Sequence, residues 1–172
     1  PSYSGRYLDS VFDIILNFML LMAICYVSKT NIGFTFLAFI GLQLQGTLYN
    51  YYYVILRNKS VGGDGTSKIF EYKTPKALPG ETQKSVTVLF GIYLMLYGLF
   101  DKIIHALDPN AYKVKTFPNW FMTLLSLYGL GFQLLIIAIM LPLGWIEFIV
   151  PFFTVYTLLI VVLIGIRKVF IA

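Results

Sequence analysis

Residues 1–28 read PSYSGRYLDSVFDIILNFMLLMAICYVS. The apolar run from Leu8 to Ser28 has the roughly 20 residues a helix needs to cross the hydrocarbon core of a bilayer. Yet Asp9 and Asp13 stand at its entrance, with Gly5 four residues ahead. Four-residue spacing puts all three on one helical face. A greasy helix with a doubly acidic doorway therefore sets both the fold class and the chemistry to look for.

The remaining sequence extends the pattern. The chain of 172 residues is 58% hydrophobic and 12% charged. Soluble domains carry about a quarter charged residues, so the composition predicts an all-α integral membrane protein. Further apolar runs cover Ile32 to Leu56, Val86 to Leu107, Trp120 to Leu141 and Trp145 to Ile166. The tight links Lys29-Thr30-Asn31 and LPLG (141–144) predict two antiparallel helical hairpins. Pro151 is expected to kink the last helix, because proline removes a backbone donor. Tyr51, Tyr52 and Tyr53 read as an interfacial aromatic belt, with Tyr53 also placed to face a cavity. Arg167 and Lys168 read as topological anchors ahead of the alternative, a hold on a phosphate.

Residues 57–85 are rich in Lys, Gly, Pro and Ser and read as a loop. Gly62, Gly63 and Gly65 lack the spacing and the Lys-Ser/Thr ending of a phosphate-binding P-loop. In the third run Thr87, Gly91, Gly98, Asp101, Lys102 and His105 fall on one side at helical spacing, which suits a helix lying in the interface plane. The basic residues agree. With segment 86–107 interfacial, every Lys and Arg except Lys29 lies on one side of the membrane, as the positive-inside tendency requires. If that segment spans, Lys113, Lys115, Arg167 and Lys168 cross to the other side. The reading is one membrane domain of four spanning helices plus one interfacial helix, with five spans as the alternative.

Several chemistries are excluded. Cys25 is the only cysteine and His105 the only histidine, so thiolate clusters, internal disulfides and histidine-rich metal sites are ruled out. The net charge of +5 belongs to membrane-flanking loops rather than to nucleic-acid binding. No charged leader with a cleavage site precedes the first run, and a start at Pro1 predicts a piece of a longer protein.

Two carboxylates one turn apart repel, and a shared cation relieves them. Oxygen ligands suit Mg²⁺. Gly5 leaves room for a ligand to approach the backbone. An acid in the first helical turn also answers the macrodipole, which is the plain reading of Asp9. Asp13 lies a turn deeper, where a charge is expensive and usually functional. On the second run Gln43, Thr47, Asn50 and Arg57 form a polar stripe, and Asn17 extends the aspartate face of the first. The stripes either meet across a polar cavity or hydrogen-bond the helices together. Arg57 is placed to hold a phosphate or to snorkel.

Gly5-x3-Asp9-x3-Asp13, within SGRYLDSVFD, resembles the second half of the CDP-alcohol phosphotransferase signature, D-G-x2-A-R-x8-G-x3-D-x3-D. The first half belongs ahead of Ser4, and Asp64-Gly65 does not replace it, since it follows the second half and lacks the Ala-Arg. The resemblance implies a six-helix core, of which these residues form the later part, with the active site facing the cytoplasm. It implies transfer of a substituted phosphate from a CDP-linked lipid or alcohol to an acceptor alcohol, with release of CMP, in phospholipid biosynthesis. Asp9 and Asp13 are then metal ligands for two Mg²⁺ or Mn²⁺ ions in the intact enzyme, and Asp13 is the general base. Gly5, Asn17 and Arg57 are candidate substrate-binding residues. A homodimer is the family's usual state. These residues alone are expected to bind metal weakly and not to turn over. A cation-coupled transporter and a non-catalytic membrane module are the alternatives.

Overall fold

A computed structural model describes residues 2–59, 71 and 73–171. The glycines of the 57–85 loop, Gly62, Gly63 and Gly65, and the Asp64-Gly65 pair lie outside the described residues. The helices are α1 (Tyr3–Ser28), α2 (Ile32–Lys59), α3 (Gln83–Leu107), α4 (Asn119–Ser126), α5 (Leu130–Met140), α6 (Ile146–Tyr156) and α7 (Leu159–Phe170). No strand occurs among the described residues. Helices α1, α2 and α3 and the stretch Ile146–Phe170 are each long and apolar enough to cross a membrane.

α1 and α2 form the expected hairpin. Lys29 takes a left-handed conformation (φ 54°), and the Asn31 side chain accepts from the Gly33 and Phe34 amides to start α2. Their inner faces meet α6. Gly41 lies so close to Thr157 that a Cβ there would overlap the threonine hydroxyl. Beside it Gln45 is fully buried and fully used. Its Nε2 donates to Thr157 Oγ1 (2.9 Å) and to the Phe153 carbonyl (3.3 Å), and its Oε1 accepts from Gln133 Nε2 (3.0 Å). Interhelical polar contacts of this kind hold helices together where lipid supplies no hydrophobic drive.

Two breaks differ from the sequence expectation. The run from Trp120 to Leu141 is a broken pair, α4 and α5, bent by 50°. At the break the Gly129 amide donates to the Ser126 carbonyl (2.9 Å), and a Cβ on Gly129 would stand 3.1 Å from that oxygen. Tyr128 is buried there, with its hydroxyl donating to the Tyr156 carbonyl (2.9 Å). Pro151, by contrast, lies inside α6 without ending it. Near the start of that helix it deprives only the Glu147 carbonyl of a partner. The interruption comes later, at Thr157–Leu158.

The two ends of α3 are tied to the same end of the α1–α2 hairpin. Just before α3, Glu81 accepts from the Tyr3 and Ser4 amides at the start of α1 (3.1 and 2.6 Å). Just after it, Asp108 accepts from the Tyr52 hydroxyl (2.6 Å), and Lys59, at the end of α2, donates to the Val114 carbonyl. A straight helix of this length is about 37 Å long, so one running alongside α1 would carry its two flanks to opposite ends of the hairpin. α3 instead leans across the hairpin's open end. Phe90 meets Tyr7, Tyr97 donates to the Ser10 carbonyl (3.1 Å), and Ile104 joins the cluster around Tyr52 and Ile55. Its outer side exposes an apolar stripe, Val88, Ile92, Met95 and Leu99.

Arg167 is not a surface anchor. It is 6% exposed and its Nε donates to Asp108 Oδ2 (2.5 Å), with Asp108 fully buried. Tyr51 and Tyr52 leave the expected aromatic belt for the same cluster, and both hydroxyls donate to Asp108.

Candidate functional site

The site begins with how α1 begins. Ser2 Oγ accepts from the Gly5 amide (3.1 Å), and Glu81 takes the Tyr3 and Ser4 amides, so the helix starts five residues before the apolar run. Asp9 thus falls in the second turn and does not serve the macrodipole in the first; Glu81 does. The Ser4 amide above all, with those of Tyr3 and Leu78, holds the Glu81 carboxyl down to about 2.

A cavity of about 340 Å³ opens between α1, α2, α3 and the start of α5. Asp9, Asp13 and Asn17 line it from α1, and Gln43, Thr47, Asn50 and Arg57 from α2. The two polar stripes of the sequence therefore share one space. The turn at residues 29–31 sets Asp13 level with Thr47, and Asn17 level with Gln43. Asp9 is exposed at the mouth, while Asp13, Asn17 and Arg57 are half-buried. Tyr53 also lines the cavity. Gly5 does not. It is exposed outside the cavity lining, its amide serves the helix start, and a Cβ there would stand 2.6 Å from Ser2 Oγ.

Gln43 and Thr47 are 4% and 5% exposed, and their Nε2 and Oγ1 atoms have no hydrogen-bond partner among the described residues. Buried polar atoms are nearly always satisfied, and each orphan costs about 1–3 kcal/mol. These two line the cavity, whereas Gln45 on the neighbouring row carries the interhelical bonding. The α2 stripe is thus open toward the cavity rather than spent on holding helices together.

Tyr93, Tyr97, Asp101, Glu71, Arg6 and Gln133 line the cavity but escape the sequence reading of the site. Tyr93, Tyr97 and Asp101 of α3 form one wall, with the Tyr93 hydroxyl donating to Asp101 Oδ2 (3.3 Å). Glu71 enters from the loop, where Arg6 binds both its oxygens (2.5 Å each) and the Tyr7 hydroxyl donates to it (2.6 Å). Asp101 belonged to the polar stripe noted on the third run; nothing local marked Glu71, Arg6 or Gln133.

Two carboxylates on one face of α1 are half of what the resembled signature supplies. Among the described residues no three His, Cys, Asp or Glu side chains converge as a metal ion requires. These residues do not by themselves fit a Mg²⁺ or Mn²⁺ pair. What they do provide is a half-buried carboxylate facing hydrogen-bonding side chains, with a guanidinium, Arg57, on the same cavity wall as the polar stripe.

No known protein family, curated protein or solved structure matches the chain.

Proposed function

We propose that this chain is part of a membrane-embedded CDP-alcohol phosphotransferase, transferring a substituted phosphate from a CDP-linked alcohol to an acceptor alcohol. The observation that supports this most is the shared cavity, which gathers Asp9, Asp13 and Asn17 of α1 with the polar stripe of α2. In this reading the acceptor hydroxyl gives its proton to Asp13 as its oxygen attacks phosphorus, and the P–O bond to CMP breaks, so that CMP leaves with the electron pair. Asp13 is the catalytic base, Arg57 steadies phosphate oxygens and Asn17 holds the acceptor. Metal chemistry in the intact site needs carboxylates beyond the two on α1.

The hairpin, the α4–α5 pair and α6–α7 are the spanning elements, and α3 lies at the membrane boundary. The tethering of both α3 flanks to one hairpin end supports that placement, and its exposed apolar stripe suits contact with the lipid surface. The distribution of basic residues supports a cavity mouth facing the cytoplasm.

The test is release of labelled CMP from a CDP-linked alcohol by membranes expressing the gene's full open reading frame. Asp13→Asn should lower the rate at least 100-fold, while the 172-residue chain alone releases none. Full activity in the Asp9→Asn/Asp13→Asn double variant overturns the reading.

A second reading draws on the α4–α5 break, since Leu130 and Gln133 beside it line the cavity. Broken helices at a binding cavity are a transporter device. Cation-dependent uptake in sealed vesicles, without CMP release, favours that reading.

A further inference from the structure

α3 has two faces, and the fold uses only one of them. Phe90, Tyr93, Tyr97, Asp101 and Ile104 recur at three- and four-residue steps and turn toward the hairpin and the cavity. Lys84, Val88, Ile92, Met95, Leu99 and Lys102 recur at the same steps and make the opposite, exposed row. The helix is lightly held. Of its 25 residues, Val86, Phe90 and Ile104 are buried. Its fixed points are the flanking tethers at Glu81 and Asp108 and the Tyr97 bond to the Ser10 carbonyl.

The composition of the outer row tells what covers it. Four large apolar side chains run between two lysines. Asp101, the only acid of α3, lies on the other face. Neither Lys84 nor Lys102 has an ion-pair partner among the described residues. An apolar row ended by cations suits a bilayer surface. The apolar groups enter the acyl boundary, and the lysine stems reach back to the headgroups. A neutral surface answers only the apolar part. An anionic one answers both, and each lysine adds about fivefold to the attraction. The row is about 27 Å long, a length that a span also requires. A span, however, would put Lys84 and Lys102 in opposite leaflets, whereas both flanking tethers lie at one end of the α1–α2 hairpin.

We infer that α3 docks on anionic lipid through Val88, Ile92, Met95 and Leu99, with Lys84 and Lys102 on headgroup phosphates, and that docking steadies the cavity wall of Tyr93, Tyr97 and Asp101 on its other face. The inference rests on the boundary placement of α3 proposed above and not on the phosphotransferase chemistry. Lipid charge then reaches the cavity through a single helix.

The experiment reconstitutes the 172-residue chain in vesicles of phosphatidylcholine, alone or mixed equally with phosphatidylglycerol. Spin labels at Val88→Cys, Met95→Cys and Leu99→Cys, each in a Cys25→Ser background, report depth. All three should lie at one shallow depth. Amide exchange in α3 should slow about fivefold or more in the anionic vesicles, with α1 unchanged. Lys84→Gln/Lys102→Gln should remove that gain and leave the melting temperature in micelles unchanged. Depths that run through the bilayer from Val88 to Leu99 overturn both the placement and the inference. A shallow row whose exchange ignores lipid charge, or a gain that survives the double variant, overturns the inference alone. Dipolar coupling between Met95→Cys labels of two chains also overturns it, since a second copy then covers the row. CMP release by the full reading frame decides the phosphotransferase reading separately.

Discussion

Two polar regions sit within one short stretch of α2, and they are built in opposite ways. Around Asp108 the charges are paired, with the Arg167 guanidinium facing both carboxylate oxygens, the Tyr52 hydroxyl donating to one of them and Tyr51 to the carbonyl. In the cavity, Asp9 and Asp13 share one face of α1, and the buried Gln43 Nε2 and Thr47 Oγ1 atoms have no hydrogen-bond partner among the described residues. The first cluster is closed and joins α2, the turn after α3 and α7. The second is open. Polar groups that serve the fold find protein partners, and those left over on a cavity wall are open to water or a ligand.

That contrast can be broken by mutation. Arg167→Met should have the largest effect on stability. It strands a fully buried carboxylate, and removing one partner of a buried pair costs about 3–5 kcal/mol. Unfolding in micelles reads the loss, and a cost under ~1 kcal/mol would place the cluster among the dispensable surface pairs. Gln45→Leu tests the α2–α5–α6 seam. Interhelical hydrogen bonds in membranes are worth about 1 kcal/mol, so a loss of that order is expected by the same method. Wild-type stability in that variant would mean Gln45 is not holding the helices.

A smaller effect should appear at the start of α1. The Glu81 carboxyl is held at about 2, below its ordinary 4.5. A depressed carboxyl contributes stability above the unfolded value and loses it as pH falls through the folded one. Amide exchange at Tyr3 and Ser4, corrected for its intrinsic pH dependence, should therefore lose protection between about pH 4.5 and 2. Glu81→Gln should remove that dependence; if it persists, another group caps the helix.

Much of this architecture was legible in the chain. Apolar runs report helices directly, because each must hide its backbone and match a bilayer. The 3.6-residue rhythm placed Asp9, Asp13 and Asn17 on one face and Gln43, Thr47, Asn50 and Arg57 on another, and both faces line the cavity. The start of α1 was only partly legible, since Ser2 caps it locally but Glu81, 78 positions from Tyr3, takes two further amides. The 50° bend was hidden because Gly129 sits in an unbroken hydrophobic run. Arg6 and Glu71 reach the site only through tertiary packing, and no periodicity announces that.

The smallest stability effect belongs to the residues with the largest functional one. Like charges four apart on a helix cost about 0.2–0.5 kcal/mol, so neutralising them should leave the fold intact or slightly firmer. The most direct measurement takes the full reading frame with Asp9→Asn/Asp13→Asn and records micellar melting beside CMP release. The account predicts unchanged or higher melting with CMP release abolished. Lost folding, or undiminished release, contradicts it.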